Sequence, residues 1–269
     1  MDQFIEIIKY IVLGIIQGIT EIFPISSSGH LTLFSHLFGM DMTAFPTFLM
    51  ITNTGSFLAL LYFFRKDVGQ LIKGTFCYLI RKDETGKDDF IYVLNLMIAV
   101  IPVGIAGLLL KDVLPDDPLT AGFALIITSA LLFYVYKQKD IQWKNDVTWQ
   151  NALVIGAFQM FAIFPGISRS GITISGGLTQ KIELKKVLRF SFLSYLVISV
   201  PVSLLGLYEA LQANESIHYV GYSLAFVMSF VFSLIAVRFL YNYVKVKNLI
   251  YFAVYCFVVG LLSIITYLI

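Results

Sequence analysis

Six apolar stretches dominate this chain: roughly Ala44–Phe64, Phe90–Leu110, Leu119–Tyr136, Val187–Leu207, Gly221–Tyr241 and Leu249–Ile269. Each approaches or exceeds the roughly 20 residues a helix needs to cross a bilayer. Hydrocarbon satisfies no backbone N–H or C=O, so only helices and closed barrels span it. The stretches are continuous and lack the apolar–polar alternation of a barrel strand. The chain therefore reads as an all-α polytopic membrane protein, one integral membrane domain over residues 1–269. With 58% hydrophobic and 13% charged residues it lies outside the soluble globular class. A net charge of +2 gives no footprint for nucleic acid, and no nucleic-acid partner is expected. Cys77 and Cys256 stand alone in apolar surroundings, with neither metal nor disulfide spacing, and read as packing residues. The N-terminus lacks the basic segment and small-residue cleavage site of a signal peptide.

Two further regions, about 4–39 and 151–180, are apolar, then broken by Pro, Gly and Ser, then apolar again. Neither half of either region reads as long enough for two more comfortable spans. Irregular backbone at membrane depth is tolerated only where protein or a wet cavity covers it. Both regions are expected to be re-entrant helix–loop–helix hairpins. Val68–Ile80 is short and mixed and suits an interfacial helix. Of the 19 Lys and Arg, 16 fall in the loops 65–89, 137–144, 181–189 and 238–247. Only Lys9 and Lys111 fall on the other side, and Arg169 lies within a hairpin. This bias puts the four rich loops in the cytoplasm. Both termini then lie outside, with residues 4–39 entering from outside and 151–180 from the cytoplasm. Each half becomes one hairpin plus three spans, an inverted repeat over approximately 4–140 and 151–269. A constant offset supports it: Gly14 meets Gly156, Gln17 meets Gln159, Ile25 meets Ile167, Ser26 meets Ser168, Ser28 meets Ser170 and Gly29 meets Gly171. Inverted repeats with broken helices place their site near the midplane, where the breaks meet.

Polar groups at that depth are costly and mark function. Glu21 is the acidic residue deep in an apolar segment and Arg169 the basic one, so meeting tips would place both in one cavity. Gln17 and Glu21, four apart, share a helix face. Ser26, Ser27, Ser28, Gly29 and His30 open the return half of the first hairpin; Ser168, Arg169, Ser170, Gly171 and Thr173 open that of the second. Free N–H groups and the positive dipole end make each such start an anion site. Two of them with one arginine fork describe a phosphate or pyrophosphate cradle. Serine and histidine supply a nucleophile and a proton carrier. His36 and His218 look ordinary. The cluster Thr52, Asn53, Thr54, Gly55 and Ser56 fits either a cavity lining or a close helix crossing.

The segments GIIQGITEIFPISSSGH and PGISRSGIT resemble the two signature motifs of the undecaprenyl-pyrophosphate phosphatase family, also called bacitracin-resistance proteins. The first carries an E/Q-x-x-x-E pattern as Gln17 and Glu21. The second carries Pro165, Gly166, Ser168, Arg169, Ser170 and Thr173 at the family spacing. The resemblance covers the chain in length and span pattern. It departs at Asn53, where family members often have Gln, and Asn53 is left out of the candidate site.

The resemblance implies hydrolysis of undecaprenyl pyrophosphate to the monophosphate carrier lipid and inorganic phosphate, for wall-polymer synthesis and bacitracin resistance. It implies a multi-pass protein of the bacterial cell membrane, a site opening to the outer face, and help from a divalent cation such as Mg²⁺ or Ca²⁺. It also places Ser27 or His30 at the reacting phosphorus. The candidate catalytic residues are Glu21, Ser27, His30 and Arg169. Ser26, Ser28, Gly29, Ser168, Ser170, Gly171 and Thr173 are the candidate phosphate ligands. Glu21 with Gln17 either orients His30 or holds the cation. Expected partners are the polyprenyl pyrophosphate and membrane lipid; oligomeric state, a homodimer included, stays open.

Two rival functions share some of these features. A lipid phosphatase pairing PSGH with SR-x5-H is mimicked by SSGH at 27–30, but six residues after Arg169 comes Ser175, not histidine. A transporter or lipid flippase would use the arginine and the dipoles but has less need of Ser27, His30 and Glu21 together.

Overall fold

The computed structural model describes residues 2–40, 45–110, 114, 117–139, 147–212 and 218–268. Among these, all regular structure is helical: α1 (Asp2–Ile22), α2 (Ser27–Leu37), α3 (Phe45–Phe63), α4 (Arg65–Arg81), α5 (Lys87–Leu110), α6 (Pro118–Tyr136), α7 (Trp149–Met160), α8 (Arg169–Thr179), α9 (Leu184–Gln212), α10 (Tyr219–Tyr243) and α11 (Leu249–Leu268). Six of them (α3, α5, α6, α9, α10 and α11) are long and apolar enough to span a bilayer. They coincide with the six expected stretches to within a few residues. This is a multi-pass membrane protein. Ala44, Lys111, Lys144 and Ile269, which entered the span and charge assignments, lie outside the described residues.

The helix ends follow local chemistry. Asp117 caps α6 by accepting from the Thr120 N–H at 3.0 Å, and Pro118 follows at the first helical position, where its missing N–H is not needed. Thr148 and Asn151 form a capping box at the start of α7. His218, expected to be ordinary, caps α10 through Nδ1, which accepts from the Gly221 N–H at 2.9 Å. α4 is longer than the expected 68–80, and a single residue, Phe64, separates it from α3. α1 runs 21 residues. That is about 31 Å at 1.5 Å per residue, close to the thickness of a bilayer core. Its first turns carry Asp2, Glu6 and Lys9, and it is not among the six spanning candidates.

α1 packs along α10, α7 along α5, and α6 along α11. Two of these contacts are built alike. A Cβ on Gly14 would stand 2.7 Å from Ala225 Cα, and one on Gly156 would stand 3.0 Å from Ala99 Cα. Backbones come this close only across small residues, which is how membrane helices gain packing without a hydrophobic drive. α8 is the innermost element, buried from Ser170 to Leu178.

Candidate active site

Residues 23–26 break the first hairpin and 161–168 the second, and the two breaks touch. The Gly166 N–H donates to Ser28 Oγ at 3.1 Å, and Ser170 Oγ donates to the Phe23 carbonyl at 3.0 Å. Gly166 has φ +91, and a Cβ there would lie 2.6 Å from Ala121 Cα. Glycine is needed both for that conformation and for the approach to α6. α2 and α8 start from these breaks, capped by Ser26 and Ser168. Ser26 Oγ accepts from the Gly29 N–H at 3.3 Å and Ser168 Oγ from the Gly171 N–H at 3.1 Å.

Between the breaks lies a polar cavity of about 120 Å³, lined by Glu21, Ser26, Ser27, Ser28, Ser168, Arg169 and Ser170, with Thr20, Ala162 and Ile167. Glu21 is its hub. Arg169 Nη2 lies 2.6 Å from Glu21 Oε1, with the two side chains 15% and 10% exposed, so solvent screens the pair little. Ser27 Oγ donates to Glu21 Oε2 at 2.6 Å, and Gln17 Nε2 donates to the same oxygen at 3.1 Å. A hydroxyl hydrogen-bonded to a carboxylate that an arginine and an amide hold in place is the geometry of an activated nucleophile. The Arg169 guanidinium also lies 3.7 Å from the Tyr195 ring centroid, over its face. Its Nη1 is buried without a partner. A buried guanidinium N–H costs free energy until an acceptor meets it, and phosphate oxygen is a fitting acceptor.

Other predicted residues sit differently. The His30 ring faces away from Ser27 and Glu21. Nδ1 lies 2.7 Å from the Ser26 carbonyl and Nε2 2.9 Å from the Tyr255 hydroxyl. A carbonyl only accepts, so neutral His30 carries its proton on Nδ1 and Tyr255 donates to Nε2. Ser26, the residue so held, has φ 68, uncommon outside glycine. The hydrogen bonds of the Glu21 carboxylate go to Gln17, Ser27 and Arg169 rather than to His30. Thr173 lies outside the cavity lining: its hydroxyl donates to the Arg169 carbonyl at 2.9 Å and meets Ser191 Oγ at 2.6 Å. The Gly29 and Gly171 N–H groups are occupied by their caps. The N–H groups of Ser27, Ser28, Arg169 and Ser170 begin their helices and have no intrahelical carbonyl to meet.

The family model described as bacitracin resistance protein BacA matches residues 10–262, both motifs included. The chain belongs to this family. It is 56% identical over 277 residues to the undecaprenyl-diphosphatase of Acholeplasma laidlawii, with all of both chains covered. It is 37% identical to undecaprenyl-diphosphatase 2 of Bacillus thuringiensis, covering 98% of this chain and 99% of that one. It is 35% identical to the undecaprenyl-diphosphatase of Oceanobacillus iheyensis, covering 98% of each.

Sequence reasoning left out part of this BacA-family site. Asn53 Oδ1 accepts from Gln17 Nε2 at 2.6 Å, which joins it to the Glu21 network. Its neighbours serve the helix crossing: Ser56 Oγ lies 2.9 Å from Ser229 Oγ, and a Cβ on Gly55 would meet the Phe226 carbonyl at 2.7 Å. Tyr195, under Arg169, was also missed. The offset that pairs the two motifs pairs Asn53 with Tyr195, and the Tyr195 hydroxyl donates to the Asn53 carbonyl at 3.4 Å. That register was the signal available.

Of the two residues named for a divalent cation, Glu21 lines the cavity and Gln17 stands behind it. Such a cation needs one or two carboxylates beside the substrate's oxygens. A carboxylate accepts along about four directions, and Glu21 uses three of them. Gln17 Oε1 is buried without a partner. Among the described residues no group of three or more His, Cys, Asp and Glu forms a metal cage of its own.

Proposed function

We propose that the chain hydrolyses undecaprenyl pyrophosphate to undecaprenyl phosphate and inorganic phosphate in a bacterial cell membrane, returning the lipid carrier to wall-polymer synthesis. Family membership and full-length similarity to undecaprenyl-diphosphatases support the activity. The observation that carries the chemistry is that Arg169, whose Nη1 is buried without a partner, lines the same small cavity as the hydrogen-bonded Ser27 and Glu21.

Arg169 and the open N–H groups of the two helix starts hold the pyrophosphate and take up the charge that grows on its equatorial oxygens. Ser27 Oγ adds to the terminal phosphorus while its proton passes to Glu21 Oε2. The bond from that phosphorus to the bridging oxygen breaks, and undecaprenyl phosphate leaves. Water then displaces Ser27 from phosphorus, Glu21 returns the proton to Oγ, and inorganic phosphate departs. One water is consumed per turnover. His30 works through Ser26: it holds the left-handed turn that aims Ser27 at Glu21. Gln17 Oε1 and the remaining Glu21 acceptor direction would hold a Mg²⁺ or Ca²⁺, which neutralises phosphate charge when bound.

The two halves form an inverted repeat with re-entrant hairpins, termini outside and the site opening to the outer face. The Lys and Arg bias of the loops supports this, as does the like construction of the Gly14–Ala225 and Gly156–Ala99 contacts. The deciding experiment measures phosphate release from undecaprenyl pyrophosphate by purified protein in detergent, with and without chelator. Release above a Ser27→Ala control is expected. Absence of release, with lipid movement retained in vesicles, would replace the hydrolase by a transporter.

A further inference from the structure

Arg169 of α8 belongs to a closed ring of contacts that four helices share. Its Nη2 lies 2.6 Å from Glu21 Oε1 on α1. Glu21 Oε2 accepts from Gln17 Nε2 at 3.1 Å, and the same amide donates to Asn53 Oδ1 on α3 at 2.6 Å. The Asn53 carbonyl accepts from the Tyr195 hydroxyl on α9 at 3.4 Å, and the Tyr195 ring lies under the Arg169 guanidinium at 3.7 Å. Tyr195 is 8% exposed, and its hydroxyl also bonds the Ser199 side chain one turn on. The aromatic ring is thus held at its far end by α3 and by its own helix.

We propose that Tyr195 is a positioning residue: its ring sets the plane of the Arg169 guanidinium so that Nη1 is presented to the transferring phosphoryl group. The inference rests on the function proposed above. A single hydrogen bond to Glu21 leaves a long, rotamer-rich side chain free to turn about that bond. At 3.7 Å the guanidinium carbon is in van der Waals contact with the ring. A guanidinium standing on edge at that distance would drive a nitrogen into the ring, so the two planes stack. Stacking consumes no donor, because the N–H groups of arginine all point outward in its own plane. A second carboxylate in place of Tyr195 would hold the arginine as firmly, but it would take the donor and cancel the charge that phosphate needs. The aromatic face attracts the cation through its quadrupole and leaves both donor and charge in place. Nη1 is accordingly buried without a partner.

The test compares Tyr195→Phe, Tyr195→Met and Tyr195→Leu with wild type in detergent. Phosphate release from undecaprenyl pyrophosphate and thermal unfolding are read on the same samples. Loss of the ring should lower kcat by about 10–10²-fold with KM within about threefold, because the charge that binds substrate stays while its geometry loosens. Tyr195→Phe keeps the ring, drops only a long hydrogen bond, and should lose no more than about threefold in kcat. A phenylalanine variant as slow as the leucine variant would overturn the proposal, since the hydroxyl would then be the part that matters. So would leucine and methionine variants that turn over like wild type. A double-mutant cycle separates positioning from a merely structural role. With Arg169→Lys no plane is left to set, so adding Tyr195→Met should cost less than about threefold more in kcat. Fully additive losses would refute the coupling. Orthovanadate, whose five-coordinate form resembles the transferring phosphoryl group, needs no turnover. Its affinity, read as a shift in melting temperature, should be about tenfold or more weaker for Tyr195→Met than for Tyr195→Phe; equal affinities would count against the ring. Phosphate release by the wild type separates the two claims. Release with unperturbed variants sinks only the role of Tyr195; no release sinks the hydrolase, and the vanadate comparison alone then decides Tyr195.

Discussion

Replacing Arg169 by lysine tests the centre of the mechanism. Arg169 does three things at once: Nη2 pairs with Glu21 at 2.6 Å, the guanidinium lies over Tyr195 at 3.7 Å, and Nη1 is left for substrate. A lysine ammonium can keep the pair with Glu21 or the contact with Tyr195, but it is a point charge without the planar fork. The donor meant for phosphate is what it loses. Removing one such donor from a preorganised site costs about 2.7–4 kcal/mol of transition-state stabilisation, or roughly 10²–10³ in kcat. The expected result for Arg169→Lys is that loss, with a melting temperature near wild type and substrate binding partly kept. Arg169→Ala goes further. It leaves the Glu21 carboxylate buried and unpaired, a change worth about 3–5 kcal/mol of stability, so melting should fall together with activity. The assay is steady-state phosphate release in detergent beside thermal unfolding of the same samples. Near-wild-type kcat in the lysine variant would mean that Arg169 is only the counter-charge of Glu21, and the phosphate-fork assignment would have to go.

Ser27→Ala and Glu21→Gln should each lower kcat by roughly 10²–10⁴ with KM little changed, the range for losing a positioned nucleophile or base; a Glu21→Gln enzyme near wild-type rate would remove Glu21 as base. His30→Ala and Tyr255→Phe should lower thermal stability and activity together while leaving the shape of the pH–rate profile intact. Loss of a limb of that profile at unchanged stability would instead make His30 a proton carrier. Gly156→Val places side-chain atoms against the Ala99 backbone and should destabilise by about 1–3 kcal/mol or more, read as a drop in melting temperature; an unchanged melt would contradict the close α5–α7 crossing. An impermeant maleimide should label Asp2→Cys but not Gln138→Cys on intact cells, and the reverse pattern would invert the topology.

The membrane class, the six spans and the positions of both breaks are legible in the sequence. Apolar run length and breaker residues act locally, and in lipid every backbone group must be satisfied within its own segment. It also named Glu21, Ser27 and Arg169, because ionisable and hydroxylated residues stand out against an apolar background. What it could not decide is which of two nearby groups a side chain faces. Ser27 and His30 are three residues apart at one helix start, yet Ser27 turns to Glu21 and His30 to Tyr255 on α11. Thr173 fits the motif but points to Ser191 on α9. Asn53 and Tyr195 join the site only because α3 and α9 pack beside the breaks. Such partnerships join residues far apart in the chain, and they are set by the angles at which helices cross. Those angles depend on close contacts such as Gly14 on Ala225 and Gly166 on Ala121, which only the folded structure brings together.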